Sequence, residues 1–262
     1  MLWHILTGKI LIELEDMRRR YYEAVKSIEK VLNNQIKPLY KGPLVTVCIP
    51  ARNEEKFIGQ AIYLVKNGQY RNVEVIVIDN ASTDKTREIA TALGAKVIEL
   101  DLIGRVGLAR HICSLEARGE VIIQIDADTA LTPYAISKAV STLMNGEVKI
   151  YHVAHYYYDG NLITNLMAHY YDKYFRKPWK TTGHFIAYTK DLYNHVQFNP
   201  NALGGEDYEF GEKAYKRFGE GIFKFDKEIT ILVSSRHYKR QGLIKDIINN
   251  PNILNYFLNL NF

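Results

Sequence analysis

Only two cysteines occur in the 262 residues, and that scarcity narrows the choices. Cys48 and Cys113 each sit inside an apolar pattern, so the expectation is two small buried core residues, not a disulfide or a metal pair. A reducing cytoplasm is then the default compartment, with peripheral contact at the inner face of a membrane as a variant of it. Long apolar runs are missing as well, so no spanning helix is expected. Residues 1–14 open on apolar residues but include His4, Lys9 and Glu13 and have no small-residue cleavage site, which makes a poor signal peptide. There is no compact Lys/Arg block to argue for nucleic acid, no internal repeat and no low-complexity segment.

The rest of the composition is that of a globular protein. At 47% hydrophobic and 24% charged, the chain can bury a full core. A net charge of +5 suits an anionic ligand, whether a nucleotide or a lipid surface.

Leu14, Met17, Tyr21, Val25, Ile28 and Leu32 recur at threes and fours, which predicts a helix over residues 11–32. It belongs to an N-terminal extension, residues 1–42, expected to pack on the main domain or on another subunit of a homo-oligomer. From Leu44 the pattern changes to alternating strands and helices. Strands are predicted at 44–49, 73–78, 96–100 and 121–125, separated by helices at 54–65, from a Ser82-Thr83-Asp84 cap to Leu93, and at 107–117. That rhythm implies right-handed βαβ units and a mainly parallel Rossmann-like sheet flanked by helices, an α/β fold.

The second half is less regular. Thr132-Pro133 reads as cap and first residue of a helix. Residues 148–158 look extended, 162–175 helical, 185–189 and 229–233 strand, and 206–218 helical. The domain is expected to run over 43–240, followed by an amphipathic helical tail, 241–262, that could lie in a membrane interface or pack on the core. Nineteen tyrosines stand out. The crowd between Tyr151 and Tyr174, with Trp179, could offer ring faces to a sugar or a lipid-linked acceptor, or could simply be core.

The run Val121 to Ile125, broken only by Gln124, reads as a strand buried on both faces that ends in Asp126-Ala127-Asp128. In open α/β sheets the ligand crevice lies outside the carboxyl ends of the strands. Pro50, Ala51, Arg52, Asn53 and Glu54, then Asp79, then Asp126 and Asp128, should therefore surround one crevice. Asn53 or Glu54 can accept from a base or ribose, Asp79 from a base N–H, and Arg105 or Arg110 can meet a diphosphate. Each also has a local explanation: Asn53 as helix cap, Asp79 as turn former, Arg110 as solvated helix face. Paired carboxylates at a strand end suit a hard divalent cation, Mg²⁺ or Mn²⁺.

With these stretches together, and with Val47 to Glu55, Val77 to Asp84, Gly107-Leu108-Ala109-Arg110 and Gly205-Glu206-Asp207-Tyr208-Glu209 in this order, the chain resembles the inverting family 2 glycosyltransferases with the GT-A fold. The resemblance runs from about residue 45 to 237. It implies a nucleotide diphospho-sugar donor, UDP- or GDP-linked, and a sugar, glycan or lipid-linked acceptor. The first two stretches would hold the nucleoside, Arg110 would lie near the diphosphate, and Asp128 with Asp126 would hold the metal. Asp207 would be the base that takes the acceptor proton; its local alternative is an acid favouring a helix N-terminus. Gly183, in Thr182-Gly183-His184-Phe185, matches the turn under the donor sugar. Ser235-Arg236-His237 matches a late motif, with His237 a metal ligand or Arg236 a phosphate clamp. Asn80-Ala81 stands where the family often has Asp-Gly, and the Gln-x-x-Arg-Trp signature of processive synthases is absent, so transfer of a single sugar is expected.

Two other classes compete. A phosphatase of the haloacid dehalogenase type also uses Asp-x-Asp after an apolar strand, but expects it on its first strand, whereas two or three strands precede it here. A non-catalytic nucleotide-sugar or glycan-binding protein would keep only the cleft.

Overall fold

The computed structural model describes residues 2–39 and 41–236. The amphipathic N-terminal stretch is α1 (Leu2–Leu32), which starts nine residues before the periodic pattern does. The alternating region resolves into β1 (Val45–Ala51), α2 (Ile58–Asn67), β2 (Val73–Asn80), α3 (Thr86–Ala92), β3 (Lys96–Leu100), α4 (Val106–Glu116) and β4 (Val121–Gln124). Beyond them come α5 (Ala135–Leu143), β5 (Ile150–Tyr157), α6 (Leu162–Tyr170), β6 (Ile186–Thr189), the short α7 (Lys190–Tyr193), α8 (Glu206–Phe218) and β7 (Phe223–Val233). A π-helical turn, Tyr171–Phe175, continues α6.

One seven-stranded sheet has the order β3-β2-β1-β4-β6-β5-β7. β1 pairs in parallel with β2 and β4, β2 with β3, and β5 with β7. β6 is the exception, running antiparallel to both β4 and β5. Its direction matters for the site: with Gln124 opposite Ile186, the chain just before β6 lies beside the chain just after β4. Apolar side chains from alternate positions fill both faces, Val47, Ile49, Val77 and Ile123 on one and Cys48, Ile76, Ile78 and Ile122 on the other. Gln124 interrupts its apolar run for a reason. Its amide donates to Ser114 Oγ (3.1 Å), Tyr188 OH (3.0 Å) and the Arg110 carbonyl (3.3 Å), which ties β4 to α4.

Several sequence expectations are corrected. Cys48 on β1 and Cys113 on α4 are joined in a disulfide, with Cα atoms 5.8 Å apart and a sequence separation of 65. The argument from free thiols to a reducing compartment falls with it. Closing a loop of that length should stabilise the fold by about 2–4 kcal/mol. Cys48→Ala with Cys113→Ala is therefore expected to lower the urea midpoint with a larger m, because the unfolded chain is no longer cross-linked, and a reductant should do the same to the wild type. Thr132 is not a helix cap: its hydroxyl donates to the Thr230 carbonyl at 2.9 Å, and α5 begins at Ala135. Asp84 holds the turn before α3, accepting from Thr86 N at 3.0 Å. The tyrosine-rich stretch divides: Tyr151, Tyr156 and Tyr157 are buried core, with Tyr151 donating to Asp226; Tyr158, Tyr170 and Tyr171 are half-buried; Tyr174 is exposed, and Trp179 stacks on Tyr215 at 4.1 Å.

α1 packs on the domain through Met17, Ala24, Ile28 and Val31, against Leu64, Tyr156 and Leu232. A polar latch fixes its register. Glu13 accepts from Lys173 Nζ (2.7 Å) and Tyr174 OH (2.5 Å) and meets His169 Nε2 at 2.8 Å, while His169 Nδ1 meets Tyr156 OH at 2.8 Å. Burial works against the Asp16 carboxylate alongside, yet Arg19 and Arg20 hold its pKa at about 2. Glu13, Asp16 and His169 are close enough to grip a cation, but the Lys173 ammonium already fills that part among them. Glu13→Ala would leave the buried His169 Nε2 without its acceptor, while Lys173 keeps Asp16 and Tyr174 reaches water, and should cost about 1–3 kcal/mol in denaturant unfolding. Glu13→Gln, which keeps an acceptor, should cost less.

Among the described residues no helix is long and apolar enough to cross a membrane. The tail at 241–262 and His237 lie outside the described residues.

Candidate active site

Four strand ends and one helix start converge here. After β1 the chain turns at Asn53, whose φ is 55°. Its backbone N–H donates to Ser82 Oγ (3.0 Å), and its Oδ1 accepts from Thr83 N (2.8 Å). Glu54 N donates to Thr86 Oγ1 at 2.7 Å. The loops after β1 and β2 are thus laced together, and the Asn53 side chain is spent on that lacing. Pro50 and Ala51 lie in register with Ile78 and Asp79. Asp79 is buried; its Oδ2 accepts from Ser82 N at 3.3 Å and faces Arg87, whereas its Oδ1 is buried with no hydrogen-bond partner. A buried acceptor left open is costly unless a ligand donor fills it. Arg52 is exposed on the same loop.

The centre of the site is a clasp around Arg110. This arginine is 2% exposed and donates from Nε to Glu206 Oε1 (2.9 Å) and from Nη2 to Asp126 Oδ1 (2.6 Å). Asp126 Oδ2 in turn meets His184 Nδ1 at 2.9 Å. Burial opposes the charges at Arg110 and Asp126, but each partner outweighs it: Arg110 is pushed above the ordinary arginine pKa, and Asp126 is held well below the usual carboxylate range. Burial likewise disfavours the His184 cation, and Asp126 reverses that, so its pKa is raised. Arg110 is therefore not a solvated helix face; both its neighbours are site carboxylates. Arg105 stands just before α4, with its carbonyl accepting from Ala109 N at 3.0 Å.

Asp207, at the second position of α8, is turned inward. Its Oδ2 accepts from Gly183 N at 2.5 Å, its Oδ1 from Tyr208 N at 2.8 Å, and its carbonyl from Thr181 Oγ1 at 2.5 Å. Gly183 is flanked on its other side by the clasp: a Cβ there would lie 2.2 Å from Arg110 Nη2 and 3.3 Å from Asp126 Oδ1. Asp207 and Asp126 are thus separated by one turn of backbone. α8 can approach this loop because Gly211 has no side chain; a Cβ would meet the Trp179 carbonyl at 2.1 Å.

Asp128 is buried, and its Oδ2 lies 3.0 Å from Arg236 Nε. Arg236 also donates from Nη2 to Glu54 Oε1 at 2.5 Å and lies over the Phe57 ring, 4.7 Å from its centroid. Glu54 is raised above the ordinary glutamate pKa by burial, with Arg236 pulling the other way.

The sequence reading missed His184 as a side chain and gave Glu206 only a helix-end role. Nothing local marks His184: the antiparallel register of β6 with β4, seen in the structure alone, places it opposite Asp126. Glu206 is 96 residues from Arg110, and nothing local marks the pair.

A model of the family described as glycosyl transferase family 2 matches residues 46–202, more than half of the chain. The chain is similar to an uncharacterised protein of Methanocaldococcus jannaschii, 34% identical over 121 residues that make up 45% of this chain and 48% of that protein. It is similar also to the 4,4'-diaponeurosporenoate glycosyltransferase of Staphylococcus aureus, 35% identical over 140 residues, 47% of this chain and 36% of that enzyme. The matches thus span about half or less of these relatives' length. Among solved structures, the glucosyl-3-phosphoglycerate synthase of Mycobacterium tuberculosis in complex with Mn²⁺, UDP and glucosyl-3-phosphoglycerate superposes with a TM-score of 0.60 at 21% identity, covering 87% of this chain and 83% of that one. A mannosyltransferase of Pyrobaculum calidifontis in complex with GDP-Man and Mn²⁺ superposes at 0.58 and 18% identity, covering 86% and 68%. With the sheet order and the matched residues together, the chain belongs to glycosyl transferase family 2 and has the GT-A fold.

Proposed function

We propose that the protein is a metal-dependent, inverting, non-processive glycosyltransferase that moves one hexosyl or N-acetylhexosaminyl unit from a UDP- or GDP-linked donor to an acceptor hydroxyl on a sugar, glycan or lipid-linked molecule. The observation that carries the reading is the single turn at Gly183, which touches the base candidate Asp207 on one side and the Arg110–Asp126 clasp on the other. Base and donor pole are held by one piece of backbone.

Asp79 Oδ1 would accept from the base N–H of the donor, which removes its orphan state. Arg110 acts through Asp126, fixing the carboxylate on one oxygen while His184 fixes it on the other. Asp128 fits a divalent ion, Mg²⁺ or Mn²⁺: it is a buried carboxylate already matched to a cation, and Glu54 Oε2 nearby is buried without a hydrogen-bond partner. When bound, such an ion would neutralise charge growing on the departing nucleoside diphosphate. Asp207 would take the proton of the acceptor hydroxyl as the oxygen attacks the sugar from the face opposite the diphosphate. Against a phosphatase stand the place of the Asp126–Asp128 pair, after β4 and not after the first strand, and the family match over residues 46–202.

Thermal unfolding with UDP-, GDP- and dTDP-sugars in the presence of Mn²⁺ tests the proposal. A donor of the right base, well above its dissociation constant, should stabilise by roughly 2–4 kcal/mol. No shift with any nucleotide would overturn it.

A further inference from the structure

Arg236 supplies a positive charge at the place where the proposed reaction needs a divalent one. Its guanidinium bridges carboxylates from separate segments, Glu54 from the loop after β1 and Asp128 from the end of β4. Those carboxylates crowd one another, with Asp126 close behind, so some cation is needed to hold them together. The root of the arginine is fixed. Ser235 N donates to Asp159 Oδ1 at 2.5 Å, Ser234 Oγ to Asp159 Oδ2 at 2.9 Å, and Arg236 N to Ser234 Oγ at 3.3 Å. The side chain beyond that root is 29% exposed and rests on Phe57, a contact it can leave without unpacking the core.

A divalent ion on an Asp128 oxygen would sit about 2 Å from that oxygen. With Arg236 Nε at 3.0 Å from Asp128 Oδ2 and its Nη2 on Glu54 Oε1, an ion that bridged these two oxygens would have to take the guanidinium's own seat. We propose that Arg236 and the divalent ion are alternative occupants of one anionic site formed by Glu54 and Asp128. The inference rests on the transferase reading in placing the ion at Asp128. Its consequence is an order of binding. An ion alone must displace the guanidinium and gains little, whereas an ion accompanied by a diphosphate brings an anion that offsets the displaced positive charge. Arg236 thus acts as a positioning residue that keeps the carboxylates preassembled and reserves the site for the ion and nucleotide together.

The test is Mn²⁺ binding, followed by the electron paramagnetic resonance of the free ion, with the full chain and no acceptor or turnover. Arg236→Met should bind Mn²⁺ alone about fivefold or more tighter than the wild type, since the competing charge is gone. Arg236→Lys, which keeps a charge on a long stem, should remain within about twofold of the wild type. Adding UDP or GDP should strengthen Mn²⁺ binding by a larger factor in the wild type than in Arg236→Met. Equal or weaker binding of Mn²⁺ alone by Arg236→Met would overturn the proposal. So would Asp128→Asn combined with Arg236→Met binding the ion as tightly as Arg236→Met alone, because the ion would then lie elsewhere. Failure of the transferase reading looks different: no nucleotide would stabilise any of these variants.

Discussion

Asp207→Asn should lower kcat by about 10³–10⁴ and leave the thermal shift produced by the donor nucleotide in place. The substitution is chosen for its shape. Asparagine can turn its amide oxygen to accept from Gly183 N, as Asp207 Oδ2 does, so the loop keeps its anchor and only the contact with Tyr208 N is given up. What it cannot do is take a proton from the acceptor hydroxyl. Asp207→Ala removes the anchor as well, and should add a loss of stability to the loss of rate while donor binding stays. A merely structural Asp207, serving the α8 N-terminus electrostatically, would give the opposite pattern: Asn would cost some stability and little rate. Single-turnover measurement with saturating donor separates the two, and retention of more than about a tenth of the wild-type rate in Asp207→Asn would remove Asp207 from the chemistry.

The first half of the fold is legible in the sequence because β1, β2 and β4 are apolar on both faces, although β1 and β2 run on through Pro50 and Asp79, where the pattern would end them. Buried parallel strands leave that signature. β6 carries no such mark of direction. Ile186-Ala187-Tyr188-Thr189 could run either way, and only its pairing with Val121–Gln124 reveals that it is antiparallel. From that one reversal follows the meeting of His184 with Asp126. Thr132 and the two cysteines mislead for a related reason. A threonine before a proline is a sound local cap signal, but Thr230, brought alongside by β7, offers its hydroxyl a tertiary acceptor. Cys48 and Cys113 look like ordinary core residues in their own segments, and nothing in their spacing says that α4 lays one against the other. The candidate site divides along the same line. Asp79, Asp126 and Asp128 stand at ends of strands that can be counted, whereas the partners that fix them, Arg110 to Glu206 and Arg236 to Glu54, lie 96 and 182 residues apart.

Gly183→Ala should be as damaging as loss of the base, although it removes no functional group. The added methyl would lie 2.2 Å from Arg110 Nη2 and 3.1 Å from its Cζ, and the guanidinium has no room to yield, being 2% exposed and held at Nε by Glu206. Either Arg110 gives up Asp126 or the 182–184 turn moves out. In the first case a buried cation and a site carboxylate lose each other, a change that costs about 3–5 kcal/mol when one partner of a buried pair is lost. In the second, Gly183 N leaves Asp207 Oδ2 and the base is no longer aimed. The expected result is a fall in kcat/KM of about 10³, with the Tm lowered if the clasp breaks and nearly unchanged if the turn moves. Donor binding tells the two apart, since a broken clasp frees Asp126 on the nucleotide side while a displaced turn spares it. Wild-type rates in Gly183→Ala would mean that neither contact of this turn matters to transfer, and the pairing of base and donor pole through Gly183 would have to be abandoned.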